Sequence, residues 1–437
     1  MLPRLPESES TQPPQWVGIL ALAAMAAGTV LRFAWPADIE FKADEQWMFE
    51  RALAAGRLES WSWSGMESSV TLANPGASVW AFAALSRAFG LDTPPALSMG
   101  VAACGVLSLL LAAWLAWRVV EPEAREAWLW GVMLAAVNPL SVLLQRKIWA
   151  QSLLPLVAVT LWWCWWRRDR RGGALAWGAL GMLMGQVHLS GFFVAAALAG
   201  WTRWRACGPA TRWRWWWAGT LVAALPLVPW AFEAGPALLA AAEAAPDTGV
   251  GGGAGGIAWW SVFVPRFWAL WGTEPTGLLL YPLGEHFRDF LRWPLVGGTP
   301  TWLMAVASLT AWGVLGRGLW VGRRKLAEPA RRDGKGTLAL LGAALVPLGV
   351  LLTLTTMPMH RHYLLAVFPL PLLWFAGLSL DGGVVRGRRW LAMLVATQLI
   401  LSAGFLHYIH VQGGAPRGDY GVTWRTQARG PAPPSTP

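Results

Sequence analysis

Apolar residues recur along this chain in long runs, and the short polar segments between them are rich in arginine and lysine. A helix that crosses the hydrocarbon core of a bilayer needs about 20 predominantly apolar residues. The pattern therefore predicts an all-α polytopic membrane protein. About eleven transmembrane helices are expected, at residues 16–35, 97–117, 127–144, 149–166, 174–188, 190–203, 215–234, 301–320, 337–357, 363–380 and 390–410.

Basic residues divide the connections between these spans into two groups. Alternate connections are rich in arginine and lysine, whereas the opposite-side connections between the fifth and sixth spans and between the ninth and tenth hold only Arg361 between them. Because cytoplasmic loops are enriched in Lys and Arg, the alternation predicts a cell-membrane protein with its N-terminus in the cytoplasm and its C-terminus outside. No small-residue cleavage site follows the first run convincingly, so we interpret that run as a retained span.

Two outside connections are long, at residues 36–96 and 235–300. The first of these loops holds two predicted helices, at 45–55 and 75–89. The second helix is short, apolar and Trp-bearing, which is typical of a helix that lies in the membrane interface. The other long connection contains the glycine-rich stretch 249–256, which we expect to be mobile.

Composition supports this class. The chain has 437 residues, of which 55% are hydrophobic and 14% charged, whereas soluble domains carry about 25% charged residues. The net charge of +11 lies in short loops between apolar runs, which argues against a nucleic-acid partner. We therefore predict one transmembrane domain over 1–410 and an outside tail over 411–437, poorly ordered at its end.

Cysteines and tryptophans suggest no further chemistry. Cys104, Cys164 and Cys207 form no Cys-x-x-Cys motif, and none of them lies in a segment predicted to be outside the cell. We therefore expect no structural disulfide and no cysteine zinc site. We interpret most of the 34 tryptophans, including the run at 162–166, as interfacial anchors, and assign none a sugar-stacking role.

An acidic pair, Asp44-Glu45, directly follows the first predicted span. Asp is a favoured N-cap residue, and acids in a first helical turn suit the helix dipole. Capping is thus one interpretation. Catalysis is the other, and the two can coexist. A carboxylate beside low-dielectric lipid and a second carboxylate gains proton affinity, which suits a base that activates a hydroxyl.

Cations gather at the same predicted membrane face. Arg146 and Lys147 lie between two spans, and His360, Arg361 and His362 precede another. Such side chains suit phosphate oxygens, although snorkelling to headgroups and ordinary loop histidines are the alternatives. Ionisable residues are nearly absent from the middle of the spans, where transporters keep them.

Together these features suggest sugar transfer from a polyprenyl-phosphate donor. The phosphate is a good leaving group that needs cationic stabilisation, while the acceptor hydroxyl needs a base. No cofactor is established from the sequence. A divalent metal is left open, with carboxylates available at Asp38, Glu40, Asp44 and Glu45.

At this point the chain resembles GT-C fold glycosyltransferases, in particular the glycosyltransferase family 39-like group of protein O-mannosyltransferases and the lipid A aminoarabinose transferase. The resemblance covers about residues 15–410. Its motifs are the pair Asp44-Glu45, Asn74-Pro75 before an interfacial helix, Asn138-Pro139 with Arg146, and Arg361-His362-Tyr363 with Pro369.

The resemblance implies a hexosyl- or pentosyltransferase whose catalytic acid/base is Asp44, with Glu45 as its neighbour. It implies phosphate contacts from Arg146 and Arg361. We predict further substrate or phosphate contacts from other residues at the outer edge, namely Lys147, Tyr363, His360 and Asn74. Expected partners are the lipid-linked donor, membrane lipid and a protein, lipid or glycan acceptor.

Two departures from the family pattern stand out. Asn74-Pro75-Gly76 replaces the family's Lys or His before a Pro-Pro pair, so one phosphate contact is open. The soluble outer domain of larger members is not seen, so the acceptor would meet the outer loops.

The alternatives to a glycosyltransferase are a lipid-linked-sugar flippase and a non-catalytic envelope-assembly subunit.

Overall fold

The computed structural model describes residues 13–68, 72–205, 210–244, 266–277, 280–326, 336–354 and 360–429. Helices dominate this part of the chain, and its strands form three short two-stranded hairpins. The predicted mobile stretch 249–256, Cys207 and the end of the tail lie outside the described residues.

The N-terminal part consists of one long helix followed by a compact unit built on a hairpin. The two helices predicted in the first outer loop are present. They pack against each other and flank the hairpin. The elements are α1 Gln15–Phe33, α2 Ala43–Gly56, β1 Ser64–Glu67, β2 Ala73–Pro75 and α3 Ala77–Phe89.

The central part is a run of helices, several of which are interrupted. Prolines at Pro139 and Pro226 accompany two of the breaks, because proline removes a backbone donor. The elements are α4 Pro94–Arg118, α5 Pro122–Val137, α6 Pro139–Leu144, α7 Leu154–Trp166, α8 Arg171–Val187, α9 Ser190–Arg205, α10 Trp213–Ala224 and α11 Leu227–Ala244.

The C-terminal part returns the chain to the first loop. Its last long helix is followed by a small hairpin and one short helix. The elements are α12 Arg266–Thr273, α13 Leu280–Leu283, α14 Phe287–Arg292, β3 Leu295–Val296, β4 Thr299–Pro300, α15 Leu303–Leu326, α16 Gly336–Leu345, α17 Pro347–Leu354, α18 Leu370–Asp381, α19 Val384–Gln412, β5 Gly414–Ala415, β6 Gly421–Val422 and α20 Trp424–Ala428.

The predicted all-α polytopic class is confirmed. Among the described residues, five helices are long and apolar enough to cross a membrane, or up to seven if two bent pairs each count as one span. All eleven predicted segments coincide with helices or interrupted helices, but several are shorter than 18 residues. The number of eleven and the orientation of the termini therefore stay predictions.

The structure corrects the interpretation of the tryptophan run at 162–166 as interfacial anchors for two of its residues. Trp162 and Trp165 are fully buried inside the bundle. The indole N–H of Trp162 donates to the carbonyl of Phe368 (2.9 Å), and that of Trp165 donates to Thr202 Oγ1 (2.9 Å). Both satisfy their polar group within the protein, so they are core residues and not interfacial anchors.

α1 and α5 approach each other closely around Gly28. A Cβ atom at this position would lie 2.3 Å from the backbone oxygen of Ala136 on α5. The buried Arg32, one turn later, donates to the carbonyls of Gly28 (2.9 Å) and Ala136 (2.6 Å). Small size at residue 28 is therefore required for the contact between these helices, which sets the start of the first loop.

We expect Gly28→Ala to lower the melting temperature (Tm) of the purified protein, because the added methyl group meets a backbone oxygen that cannot move aside. Gly18→Ala in the same helix is the matched control, since its Cβ would meet only Trp117 Cζ2 at 3.6 Å. Alanine in a helix interior is favoured over glycine by roughly 0.5–1 kcal/mol. Thermal unfolding in detergent measures both, and an unchanged Tm for Gly28→Ala would contradict the contact.

Candidate active site

The acidic pair lies in the first turn of α2. Lys42 is the N-cap residue, and its backbone N–H donates to Glu45 Oε2 at 3.0 Å. Glu45 therefore caps the helix, as the capping interpretation predicts for this turn, but Asp44 does not. Asp44 is exposed and makes no hydrogen bond or ion pair with any described residue. Adjacent residues thus have opposite roles: one carboxylate is fixed and the other is available.

Lys147 holds the fixed carboxylates. Its Nζ lies 3.1 Å from Glu45 Oε1 and 2.9 Å from Glu40 Oε2, and all three side chains are buried. Burial favours the neutral form of Lys147, but the two carboxylates outweigh it and raise its pKa. Lys42 Nζ adds a second cation 2.8 Å from Glu40 Oε1. Lys147 is therefore a structural cation in this arrangement, with its charge already shared.

The C-terminal segment 419–427 packs along residues 37–42 and closes this cluster from outside. The backbone N–H of Trp424 donates to the carbonyl of Ile39 (3.0 Å), and that of Arg425 to Ala37 (2.9 Å). Arg425 Nε also lies 2.6 Å from Asp38 Oδ1. The described part of the predicted tail is thus folded against the loop that carries Asp44.

A cavity of about 160 Å³ lies next to this cluster. Four of the predicted site residues line it, namely Asp44, Asn74, His360 and Tyr363. The remainder of its wall comes from β1, α3, the 3-10 turn at 150–153 and the break between α8 and α9. The cavity therefore brings together residues from segments far apart in sequence, with Asp44 at its edge.

Aromatic rings and histidines form one wall of the cavity. Lys147 Nζ sits 3.5 Å from the ring centroid of Trp149, and this ring meets His362 edge-on at 5.1 Å. His360 and His362 are stacked, with centroids 5.3 Å apart. Burial, and then Arg266, lower the pKa of His360. Its ring is thus neutral at pH 7, so it offers one N–H donor without a full charge.

Asp44 differs from the other acids in its environment. Partial burial raises the pKa of its carboxyl, and the neighbouring Glu45 adds to the effect. Lys147 and Lys42 act in the opposite direction. A carboxylate with raised proton affinity and no partner among the described residues has the properties of a general base.

Arg146 and Asn74 have structural partners. Arg146 is buried, and its guanidinium donates to the carbonyls of Leu31 (3.1 Å) and Trp35 (2.9 Å) at the end of α1. It does not line the cavity. Asn74 does, but its amide group donates to Met66 and its oxygen accepts from the N–H of Leu189. The predicted phosphate contacts at these two positions are therefore engaged in holding the fold.

Arg361 lies between His360 and His362, which line the cavity, but it is not part of the lining itself, and its side chain is paired with a carboxyl. Its guanidinium is 3.4 Å from Glu274 Oε2 and donates to Thr273 Oγ1 at 2.8 Å. Burial raises the pKa of Glu274 to about 7, although Arg361 acts against the shift. Near neutral pH this partner is only partly ionised, so it neutralises the charge of Arg361 only in part.

Three of the four carboxylates considered for a divalent metal are engaged with cationic side chains, and only Asp44 has no such partner among the described residues. Glu40 and Glu45 flank Lys147, and Asp38 pairs with Arg425 and with His410 Nδ1 at 2.5 Å. Within the described ranges, no group of three or more His, Cys, Asp or Glu side chains is arranged to hold a metal ion. The ammonium group of Lys147 lies between Glu40 and Glu45, in the position that a metal ion bound by these two carboxylates would take.

Sequence reasoning missed the part played by the tail. Arg425 and Tyr420, whose hydroxyl donates to the carbonyl of Asp38, lie in a Gly- and Pro-rich segment without helical or strand periodicity. The sequence signal for an acidic partner elsewhere is that this segment contains Arg417, Arg425 and Arg429 but only one acid, Asp419. His188 also lines the cavity and is hydrogen-bonded through Nδ1 to Ser190 Oγ (2.8 Å).

A scan against known protein families finds no match, and a search of curated proteins finds none. Among solved structures the chain is similar to ArnT from Cupriavidus metallidurans in the apo state. The TM-score is 0.48 at 14% identity, covering 93% of this chain and 77% of that one. ArnT bound to undecaprenyl phosphate gives a TM-score of 0.39 at 14% identity, over 91% and 80% of the two chains.

The arabinofuranosyltransferase AftD from Mycobacteria is also similar, with a TM-score of 0.42 and 17% identity over 96% of this chain and 28% of that one. TM-scores below 0.5 describe a partial likeness. The function is therefore proposed from the residues of this chain.

We expect Lys147→Met to lower the Tm strongly, because it leaves Glu40 and Glu45 buried without their shared cation. Removing one partner from a buried ion pair costs roughly 3–5 kcal/mol. Lys42→Met is the control, since this lysine is only half-buried and touches one of the two glutamates. Scanning fluorimetry would show a smaller loss for the control. Equal stability of wild type and Lys147→Met would refute the structural role.

Proposed function

We propose that this chain is an inverting glycosyltransferase that moves a sugar from a polyprenyl-phosphate carrier to an acceptor hydroxyl at the outer face of the membrane. The observation that carries the proposal is the contrast within one helical turn. Glu45 is buried and paired, whereas Asp44 is exposed at a cavity with a raised pKa. A capping or purely structural pair would not leave one carboxylate available.

Asp44 would act as the base. The acceptor oxygen attacks the anomeric carbon from the side opposite the phosphate, and its proton passes to the Asp44 carboxylate. The bond between the anomeric carbon and the phosphate oxygen breaks, and the lipid phosphate leaves with the electron pair. A positioned base contributes about 10²–10⁴-fold to such a step.

The leaving phosphate would meet donors on the cavity wall. His360 and Tyr363 line the cavity directly, and Arg361 lies between them in sequence, next to a carboxyl that is half-protonated near pH 7. A phosphate with two negative charges competes well with such a carboxyl for a guanidinium. We therefore assign the phosphate to His360, Arg361 and Tyr363, and assign Arg146 and Lys147 to the scaffold around it.

A flippase or an assembly subunit would use the same fold differently. Neither needs a partner-free carboxylate at a cavity, and neither would consume the donor. The proposed enzyme converts a lipid-linked sugar into free lipid phosphate. The appearance of that lipid product therefore separates the enzyme from both alternatives.

We expect Asp44→Asn to reduce transfer at least a hundredfold without loss of protein, because asparagine keeps the shape but cannot accept the proton. Purified protein in liposomes would be given undecaprenyl-phosphate-linked sugars, hexoses and pentoses, with an envelope fraction as acceptor. Release of undecaprenyl phosphate is the readout. Glu50→Gln, an exposed carboxyl on the same helix, is the matched control. Full activity of Asp44→Asn would disprove the assignment.

The pH dependence gives a separate test. A base must be ionised, so the rate should fall as the pH drops through the pKa of Asp44, which lies above its ordinary value of 3.8. In Glu45→Gln a nearby negative charge is removed, so the pKa of Asp44 falls and the acidic limb of the rate profile moves to lower pH. The rates are compared per folded protein. A limb that stays in place or moves to higher pH would exclude Asp44 as the titrating base.

A further inference from the structure

A second cavity, of about 240 Å³, shares its scaffold with the first. It is lined by α2, β1, α3 and the loop before β1, and by one side chain of α11. Helix α2 contributes Trp47, Arg51 and Ala55 to it, whereas Asp44 and Met48 on the same helix face the first cavity. The two cavities are therefore neighbours along one helix.

Arg51 is the cation of this second cavity. It makes no ion pair or hydrogen bond with the part of the chain that the structure describes. Its guanidinium carbon lies 5.6 Å from the centroid of the Trp47 ring. An arginine over an aromatic face keeps its N–H donors free in the plane of the guanidinium, where they bind carboxylate or phosphate oxygens in pairs.

Trp80 supplies a fixed apolar surface. Its indole N–H donates to the carbonyl of Ser62 at 2.9 Å. Trp61 stacks on it with centroids 4.9 Å apart, and Trp63 meets it edge-on at 5.2 Å. Three mutually packed rings lose little conformational freedom on binding. Trp80, the one ring of the three that lines the cavity, is therefore a fixed surface for the C–H face of a sugar ring.

Glu233 fixes the loop that forms the rim. This side chain of α11 accepts hydrogen bonds from Ser62 Oγ (3.1 Å) and from the backbone N–H of Trp63 (3.0 Å). Both of its oxygens are therefore used in positioning the loop. Glu233 and Arg51 line the same cavity but form no ion pair with each other.

We infer that this second cavity is an acceptor subsite for a saccharide that carries an acidic group. A sugar ring stacks on the Trp80 side of the cavity, its carboxylate or phosphate binds Arg51, and its hydroxyls meet the rim serines. Arg51 follows Asp44 by seven residues, which is about 10 Å along a helix and two turns on the same face. An oligosaccharide of modest length spans that separation, so one end reaches the base.

This inference rests on the proposed glycosyl transfer, but its test is a binding measurement. Purified protein in phosphatidylcholine nanodiscs is titrated calorimetrically with trigalacturonate, glucosamine 6-phosphate, neutral maltotriose and inorganic phosphate. Wild type is expected to bind an acidic saccharide about tenfold more tightly than maltotriose. Arg51→Gln should remove that preference, whereas Arg57→Gln, at the exposed end of the same helix, should keep it. Trp80→Phe should weaken the affinity for all saccharides that bind.

The outcomes divide clearly. Loss of the acidic preference in Arg51→Gln alone supports the subsite, and the choice between trigalacturonate and the sugar phosphate identifies the acidic group. Equal binding by wild type and Arg51→Gln overturns it, as does inorganic phosphate that binds as tightly as the saccharides. Asp44→Asn should bind like wild type. Retained binding without any transfer by wild type would therefore reject the proposed reaction while leaving the subsite.

Discussion

The ammonium of Lys147 lies between the carboxylates of Glu40 and Glu45, and the rest of the site depends on this buried triad. Three charges removed from water are stable only when each has its partners. The triad ties the start of α2 to the loop after α6. It also uses one member of the acidic pair completely, so the other member, Asp44, stands alone at the cavity.

The chain reaches this arrangement by bringing its two ends together. The segment 419–427 adds backbone hydrogen bonds along residues 37–42, and Lys42 contacts both Glu40 and Asp419. A loop that follows a membrane helix would otherwise move freely, and its carboxylates would be solvated. The tail excludes water from one side of the triad, and this strengthens its electrostatic interactions.

Sequence patterns predicted the parts of this structure that depend on local periodicity. The apolar runs gave the helices, and the position of Asp44 after the first span was enough to single it out. The partners of Arg146 were not predictable, because the carbonyls of Leu31 and Trp35 have no signature in the side-chain pattern. For the same reason Trp162, buried in the bundle, could not be told from an interfacial tryptophan.

The pairing of Arg425 with Asp38 was unpredictable for a different reason. Such contacts join opposite ends of the chain, and neither residue belongs to a repeated pattern. A sequence shows which charged residues are present, but the fold determines which of them pair. These pairings make Arg146 and Lys147 scaffold cations, whereas Arg361 lies beside the cavity with a partly ionised partner.

The most direct measurement is a cryo-EM structure of the protein in nanodiscs with bound undecaprenyl phosphate. The account predicts that the phosphate lies in the cavity lined by Asp44, His360 and Tyr363, within hydrogen-bonding distance of the histidine or tyrosine, with the Asp44 carboxylate facing the sugar position. A phosphate bound at another face of the bundle, or an Asp44 side chain drawn into an ion pair with Lys147, would contradict it.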